Sequence, residues 1–286
     1  MEKIAIISDV NAGLDYIGKD LKIPVLRSVI NFGDQHLVDG KEITANEFYE
    51  RLQNENIIPS TSAPTVGEAM ELIEKLIEEG YTDVIMYSIS YELSSIGQMV
   101  ETLRADYGDK INIHVVNTKT ATYLQGYLAV VAKEMVYEKK SVKEIIDYST
   151  YLIENSHAYF VVDDLSYLVK NGRISGAAGF LGGLLKIKPV LEMTKEGKII
   201  SFEKVKTHRK AIERVVELIL NEIKDAKKLK IFIFHTVREN DAKELAKFFD
   251  AKIQVEKEIE VHIVTPAVGA HIGCGVLGVG YYILEK

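Results

Sequence analysis

The feature that most constrains the fold is an alternation of two kinds of segment. Short, nearly continuous apolar runs, "KIAIIS" (3–8), "DVIMYSI" (83–89) and "INIHVVN" (111–117), are separated by longer stretches of helical period. Strands that are apolar on both faces must be covered on both faces, as parallel strands are inside an α/β layer structure. The helical stretches carry their own start signals. "TANE" (44–47), "TVGE" (65–68) and "SVKE" (141–144) each place a hydroxyl three residues ahead of a glutamate, the spacing of a capping box. They predict helices over "TANEFYERLQ", over 65–79 and over 141–155, with others over about 94–107 and 120–138.

After His157 the texture changes. "AYFVVDD" (158–164) reads as a strand, and "KPVLEMTKEGKIISFEKV" (188–205) as a hairpin turning at Glu196-Gly197. A helix over about 207–224, the strand "KIFIFHT" (230–236), the helix "NDAKELAKFF" (240–249) and two closing strands complete a second α/β unit. The expected architecture is therefore α/β in two domains, 1–160 with a mainly parallel sheet and 161–286 with a mixed sheet. With no flexible linker between them, the two share a tight seam. Residues 261–284 carry no charged side chain, but they include Pro266, five glycines and two histidines. That composition predicts two buried strands around a glycine-rich turn, not a membrane span.

Several function classes are excluded at this level. A formal net charge of −7 with no long basic run is unsuited to nucleic acid, whose phosphates demand clustered positive charge. The one cysteine, Cys274, allows no internal disulfide and fits a reducing cytoplasm, and the N-terminus lacks a signal-peptide layout. There is no dinucleotide fingerprint after the first strand, no phosphate-binding loop of the G-x-x-x-x-G-K-[ST] type and no G-x-S-x-G elbow. The seven histidines show no metal-ligand spacing. No cofactor, metal or catalytic residue is expected.

What remains are polar groups in apolar surroundings, each with two readings. Thr61 and Ser62 precede a helix N-terminus between Pro59 and Pro64, as a simple hydroxyl turn or as donors to an anion. Ser94 and Ser95 stand where a strand gives way to a helix, as caps or as ligands at the carboxyl edge of the sheet. Arg173, the one charge between Lys170 and Lys186, either snorkels to water or clamps an anion. His271 is either a core histidine or part of a site. The small-residue segment "ISGAAGFLGGLL" (174–185) serves either close helix packing or a narrow apolar tunnel.

Five runs occur in one order along nearly the whole chain: "DGKEI" (39–43), "TSAPT" (61–65), "LVKNGRIS" (168–175), "LLKIKPVLEMTKEGKI" (184–199) and "HIGCGVLGVGYY" (271–282). Together they resemble the DegV family of bacterial fatty-acid-binding proteins. The resemblance implies two α/β domains enclosing a long-chain fatty acid in a tunnel at their junction. It implies a carrier that presents the lipid carboxylate to a separate fatty acid kinase, which forms the acyl phosphate for phospholipid synthesis, with transient contact at a membrane surface. It also implies that Thr61, Ser62, Ser94, Arg173 and His271 surround the lipid head group. Departures from the family pattern are Asp9-Val10 for Asp-Ser, Ser94-Ser95-Ile96 for Ser-Gly-Thr, Asn117-Thr118-Lys119 for Asp-Ser-Lys, and Ile272 and Cys274 for Thr and Pro. Two rivals stand beside the carrier: an acyl esterase or phosphatase using His271 with Ser62 or Ser94, and a lipid-sensing regulator.

Overall fold

The computed structural model describes residues 2–18, 21–55, 57–176 and 188–286. In the first unit, β1 (Ile4–Asp9) leads through two short 3₁₀ turns to β2 (Val25–Leu26), β3 (Val29–Phe32) and β4 (Gln35–Val38). Then follow α1 (Ala45–Asn54), β5 (Ser60–Ser62), α2 (Val66–Glu78), β6 (Asp83–Ser88), α3 (Ile96–Thr102), α4 (Arg104–Tyr107), β7 (Asn112–Asn117), α5 (Thr122–Tyr137) and α6 (Val142–Glu154). The strands form a parallel sheet of order β2-β1-β6-β7 and a small antiparallel sheet of order β4-β3-β5.

All three capping boxes form in both directions, at Thr44–Glu47, Thr65–Glu68 and Ser141–Glu144. Every residue of β1 and β6 is buried, as two-sided cover requires. The stretch read as one helix over 94–107 is divided at Leu103 into α3 and α4.

The second unit comprises β8 (Ser156–Val161), α7 (Ser166–Lys170), β9 (Val190–Met193), β10 (Ile199–Glu203), α8 (His208–Glu222), β11 (Lys228–His235), α9 (Glu239–Lys252), β12 (Glu256–Ile263), α10 (Pro266–Ile272) and β13 (Leu277–Glu285). Its mixed sheet runs β10-β9-β8-β13-β11-β12, with only β11 and β12 parallel. Because β8 pairs with β13 and β9, the change of sheet falls after Asn155, not at 160. The uncharged C-terminal run is also more than two strands and a turn. Thr265 caps it into a helix, α10, with Pro266 in the first turn where a missing N–H does no harm. Among the described residues, no helix is long and apolar enough to cross a membrane.

Helix α5 is the shared layer. Its Leu124, Leu128 and Ala129 join Ile6 and Tyr87 of the first sheet to Phe232 and Tyr282 of the second in one buried cluster. Gln125 donates to the Tyr87 carbonyl at 3.1 Å, and the Tyr282 hydroxyl donates to the Leu124 carbonyl at 2.9 Å. The outer faces are covered separately, by α2 and α3 on one sheet and by α8 and α9 on the other.

The β9–β10 hairpin closes the seam. Its turn reaches the carboxyl edge of the first sheet, where Ser90 Oγ donates to the Gly197 carbonyl at 2.7 Å. Gly197 has φ +88°, and a Cβ there would lie 2.2 Å from Ser90 Oγ and 3.0 Å from Lys119 Cα. Gly197→Ala is therefore expected to lower stability by about 1–3 kcal/mol, read as a lower urea midpoint at unchanged slope. A midpoint equal to wild type would show that the hairpin tip does not secure the seam.

Candidate binding site at the seam

Strand β5 places the first polar group. Residues of a strand alternate between faces, so Thr61 points one way and Ser60 and Ser62 the other. Thr61 Oγ1 meets His271 Nε2 of α10 at 2.9 Å. Ser62 is exposed, and its hydroxyl accepts from Asn31 Nδ2 at 3.1 Å on the far face. The pair of adjacent hydroxyls is thus split. Thr61 lines the cleft between the units and Ser62 does not.

His271 is held from both ends of one helix face. Ala267, four residues earlier and on the same side of α10, donates its N–H to Asp39 Oδ2 at 2.7 Å. Asp39 is fully buried, and its Oδ1 has no partner among the described residues. Burial pushes its carboxyl up to about 7; the Ala267 N–H opposes this, Asp15 reinforces it, and Arg27 opposes it more weakly. Arg27 bridges the Asp15 carboxylate at 2.7 Å and the Asp39 carbonyl at 2.8 Å. Gly40, at φ +73°, leaves the space for that bridge, since a Cβ would lie 2.3 Å from Arg27 Nη1. Asp39 and Gly40 sit in the "DGKEI" run, but nothing in its spacing announces a grip on a helix two hundred residues away in sequence.

Burial, with the nearby Arg173 charge as the second cause, pulls the His271 imidazole down to about 4. The ring is neutral at neutral pH, able to accept on one nitrogen and donate from the other. Arg173 follows α7 and is half-buried. Its Nε donates to the Leu93 carbonyl at 3.2 Å and Nη1 to the Asn171 carbonyl at 2.5 Å. Among the described residues no carboxylate pairs with it. Ser94 Oγ accepts from the Ile96 N–H at 3.4 Å, and Ser95 stands at the N-cap of α3 without a side-chain cap bond. Both serines line the same cleft, as do Ile272, Asn11 and Ser28.

The cleft holds about 1100 Å³ of atom-free space, part of it open to solvent. Away from Thr61, Arg173 and His271 its walls are Leu124, Phe160, Leu168, Met193, Phe234 and Val276, drawn from both units. Residues 177–185 of the small-residue segment lie outside the described residues, so its tunnel reading has no counterpart there. Cys274 is half-buried, with its thiol pushed up to about 11 by burial, and stays protonated. Among the described residues, no group of three or more His, Cys, Asp and Glu side chains could hold a metal ion.

The seam is thus an apolar cleft between two α/β units, with an imidazole, a hydroxyl and a guanidinium that has no carboxylate partner among the described residues at one side. The chain belongs to the DegV family: the family model described as "Uncharacterised protein, DegV family" matches residues 3–284. A DegV domain-containing protein of Staphylococcus aureus is 34% identical, over 98% of this chain and 97% of its own length. A fatty acid binding DegV family protein from Streptococcus agalactiae is similar in structure at 29% identity and TM-score 0.89, over 99% of each chain. DegV, a fatty acid binding protein from Bacillus subtilis, matches at 28% identity and TM-score 0.89, over 99% of this chain and 100% of that one.

The ordinary imidazole value is 6.5 and the folded value of His271 is about 4. Across that window the unfolded chain takes a proton that the folded chain refuses, so this residue's contribution to stability falls as pH is lowered through it. An NMR titration of the lipid-free protein is expected to show His271 neutral down to about pH 4. His271→Gln should flatten the loss of stability between pH 6.5 and 4 relative to wild type. A His271 midpoint near 6.5 would contradict the buried, neutral assignment.

Proposed function

We propose that this chain binds a long-chain fatty acid, tail in the apolar cleft and carboxylate toward Thr61, His271, Ser94 and Arg173. The observation that carries the reading is the half-buried Arg173 guanidinium, which lines an apolar-walled cleft and pairs with no carboxylate among the described residues. A partly desolvated charge is stabilised by a counter-charge, which a lipid carboxylate supplies. The two relatives described as fatty acid binding support the same ligand class.

The division of labour follows from magnitudes. At about 0.8 kcal/mol per buried CH₂, a chain of about 16 carbons offers on the order of 13 kcal/mol before ordering costs. The tail supplies affinity, and the polar groups orient the head. Nothing in the sequence supplies a triphosphate-binding loop. The family resemblance supports a carrier in the cytoplasm that hands the carboxylate to a separate fatty acid kinase for acyl-phosphate formation, with the acyl group destined for phospholipid. The hydrolase alternative finds little support: His271 Nε2 faces Thr61, and no carboxylate orients its Nδ1 among the described residues, as a triad base requires.

Protein purified from bacteria, denatured and extracted, is expected to yield about one long-chain fatty acid per chain by mass spectrometry. Its absence would refute the reading. Arg173→Ala is expected to retain lipid to within about three-fold, because the tail holds it, while acyl-phosphate formation with kinase and ATP falls at least ten-fold, on the order of one charge-assisted hydrogen bond. Equal loss of both would reverse the assigned roles.

A further inference from the structure

Four buried serines each donate to a backbone carbonyl. Ser8 Oγ donates to the Tyr87 carbonyl at 2.7 Å, Ser88 Oγ to Ile89 at 3.1 Å, Ser90 Oγ to Gly197 at 2.7 Å and Ser149 Oγ to Ile145 at 2.8 Å. Ser28 is 4% exposed, and its hydroxyl has no partner among the described residues. It lines the cleft. Its hydroxyl is left open to the cleft, free to donate to what the cleft holds.

Register brings Ser28 close to Thr61. Strand β3 pairs antiparallel with β5 through Val29↔Ser62 and Ile30↔Thr61. One step further sets Ser28 opposite Ala63, and both line the cleft. Ser28, Ile30, Thr61 and Ala63 therefore share the face of the small sheet that looks toward α10. Ser28 and Thr61 are a diagonal pair, roughly 7–8 Å apart in backbone position. A carboxylate accepting one bond of about 2.6 Å from each hydroxyl spans such a gap. The Ser28 carbonyl is fixed in turn by the Asp39 N–H at 3.0 Å, so the same loop that grips α10 sets this hydroxyl.

We propose that Ser28 is a further ligand of the head group, donating to one carboxylate oxygen while Thr61 and His271 engage the other. The assignment rests on the fatty-acid reading above and names a residue that none of the five collinear motifs contains. The second oxygen is thereby held within the first unit's own small sheet, so orientation of the head group depends on that sheet as well as on α10 and Arg173.

The test uses delipidated full-length protein, with palmitate and hexadecanol as probes. Ser28→Ala is expected to weaken palmitate about two- to three-fold, since the tail supplies most of the affinity, and to leave hexadecanol unchanged. The bound carboxyl, followed by ¹³C NMR on [1-¹³C]palmitate, should titrate at higher pH in the variant, because a donor to its charged form is gone. Ser28→Cys, close in size and a weaker donor, should fall between the two and serves if the alanine variant does not fold. Palmitate bound equally by wild type and variant, with an unmoved carboxyl titration, overturns the assignment and leaves the fatty-acid reading standing. Equal weakening of both probes makes Ser28 a packing residue and also overturns it. Wild-type protein that binds neither probe overturns the reading itself, and this inference with it.

Discussion

Helix α10 belongs by sequence to the second unit, yet its cleft-facing side is held by the first. Asp39 takes the N–H of Ala267, Thr61 meets His271 one turn further on, and the Tyr49 hydroxyl donates to the Val264 carbonyl just before the helix begins. Pro266 has no N–H to satisfy, and Thr265 takes that of Val268, so the Asp39 bond settles the one early donor that the helix cannot settle for itself. A seven-residue helix has little stability of its own. Its position comes from this grip, and with it the position of the imidazole, the cleft wall around Ile272 and the relation of one sheet to the other.

The electrostatics of the site follow from how little water reaches it. His271 loses its charge to burial, with the nearby Arg173 charge as the second cause. The site therefore sets a neutral, adaptable imidazole near the Arg173 guanidinium. Asp39 behaves in the opposite sense to the histidine. Its carboxyl is raised, so the folded chain holds its proton across roughly the ordinary carboxylate range up to about pH 7, and its contribution to stability falls as pH rises through that window. The two buried groups give opposing slopes in the same acidic range, and a bulk acid titration sees only their difference.

Much of the architecture was legible because its causes are local. A hydroxyl three residues before a glutamate starts a helix wherever it occurs, and the boxes at Thr44, Thr65 and Ser141 do so. Two-faced apolar runs became the parallel strands β1 and β6, and Gly197 turned the hairpin. The less legible parts depend on partners distant in sequence. Strand β8 looked like the end of one unit until β13, more than a hundred residues on, claimed it for the other sheet. In the uncharged run, Pro266 and five glycines argued for a turn, whereas the Thr265 cap and the packing on the first unit make a helix of its centre.

The site divides in the same way. The sequence alone determined that hydroxyls, an arginine and a histidine stand in apolar surroundings, and the family resemblance tied Thr61, Ser62, Ser94, Arg173 and His271 to one pattern. Only the tertiary structure decided which hydroxyls face the cleft. Strand alternation turned Thr61 inward and Ser62 toward Asn31, and the register of β3 brought Ser28, unmarked by any motif, onto the face of Thr61. It likewise decided that His271 is neutral and that Asp39 holds a helix. Residue type sets what a group can donate or accept; burial and orientation, which arise only when distant segments pack, set what it does.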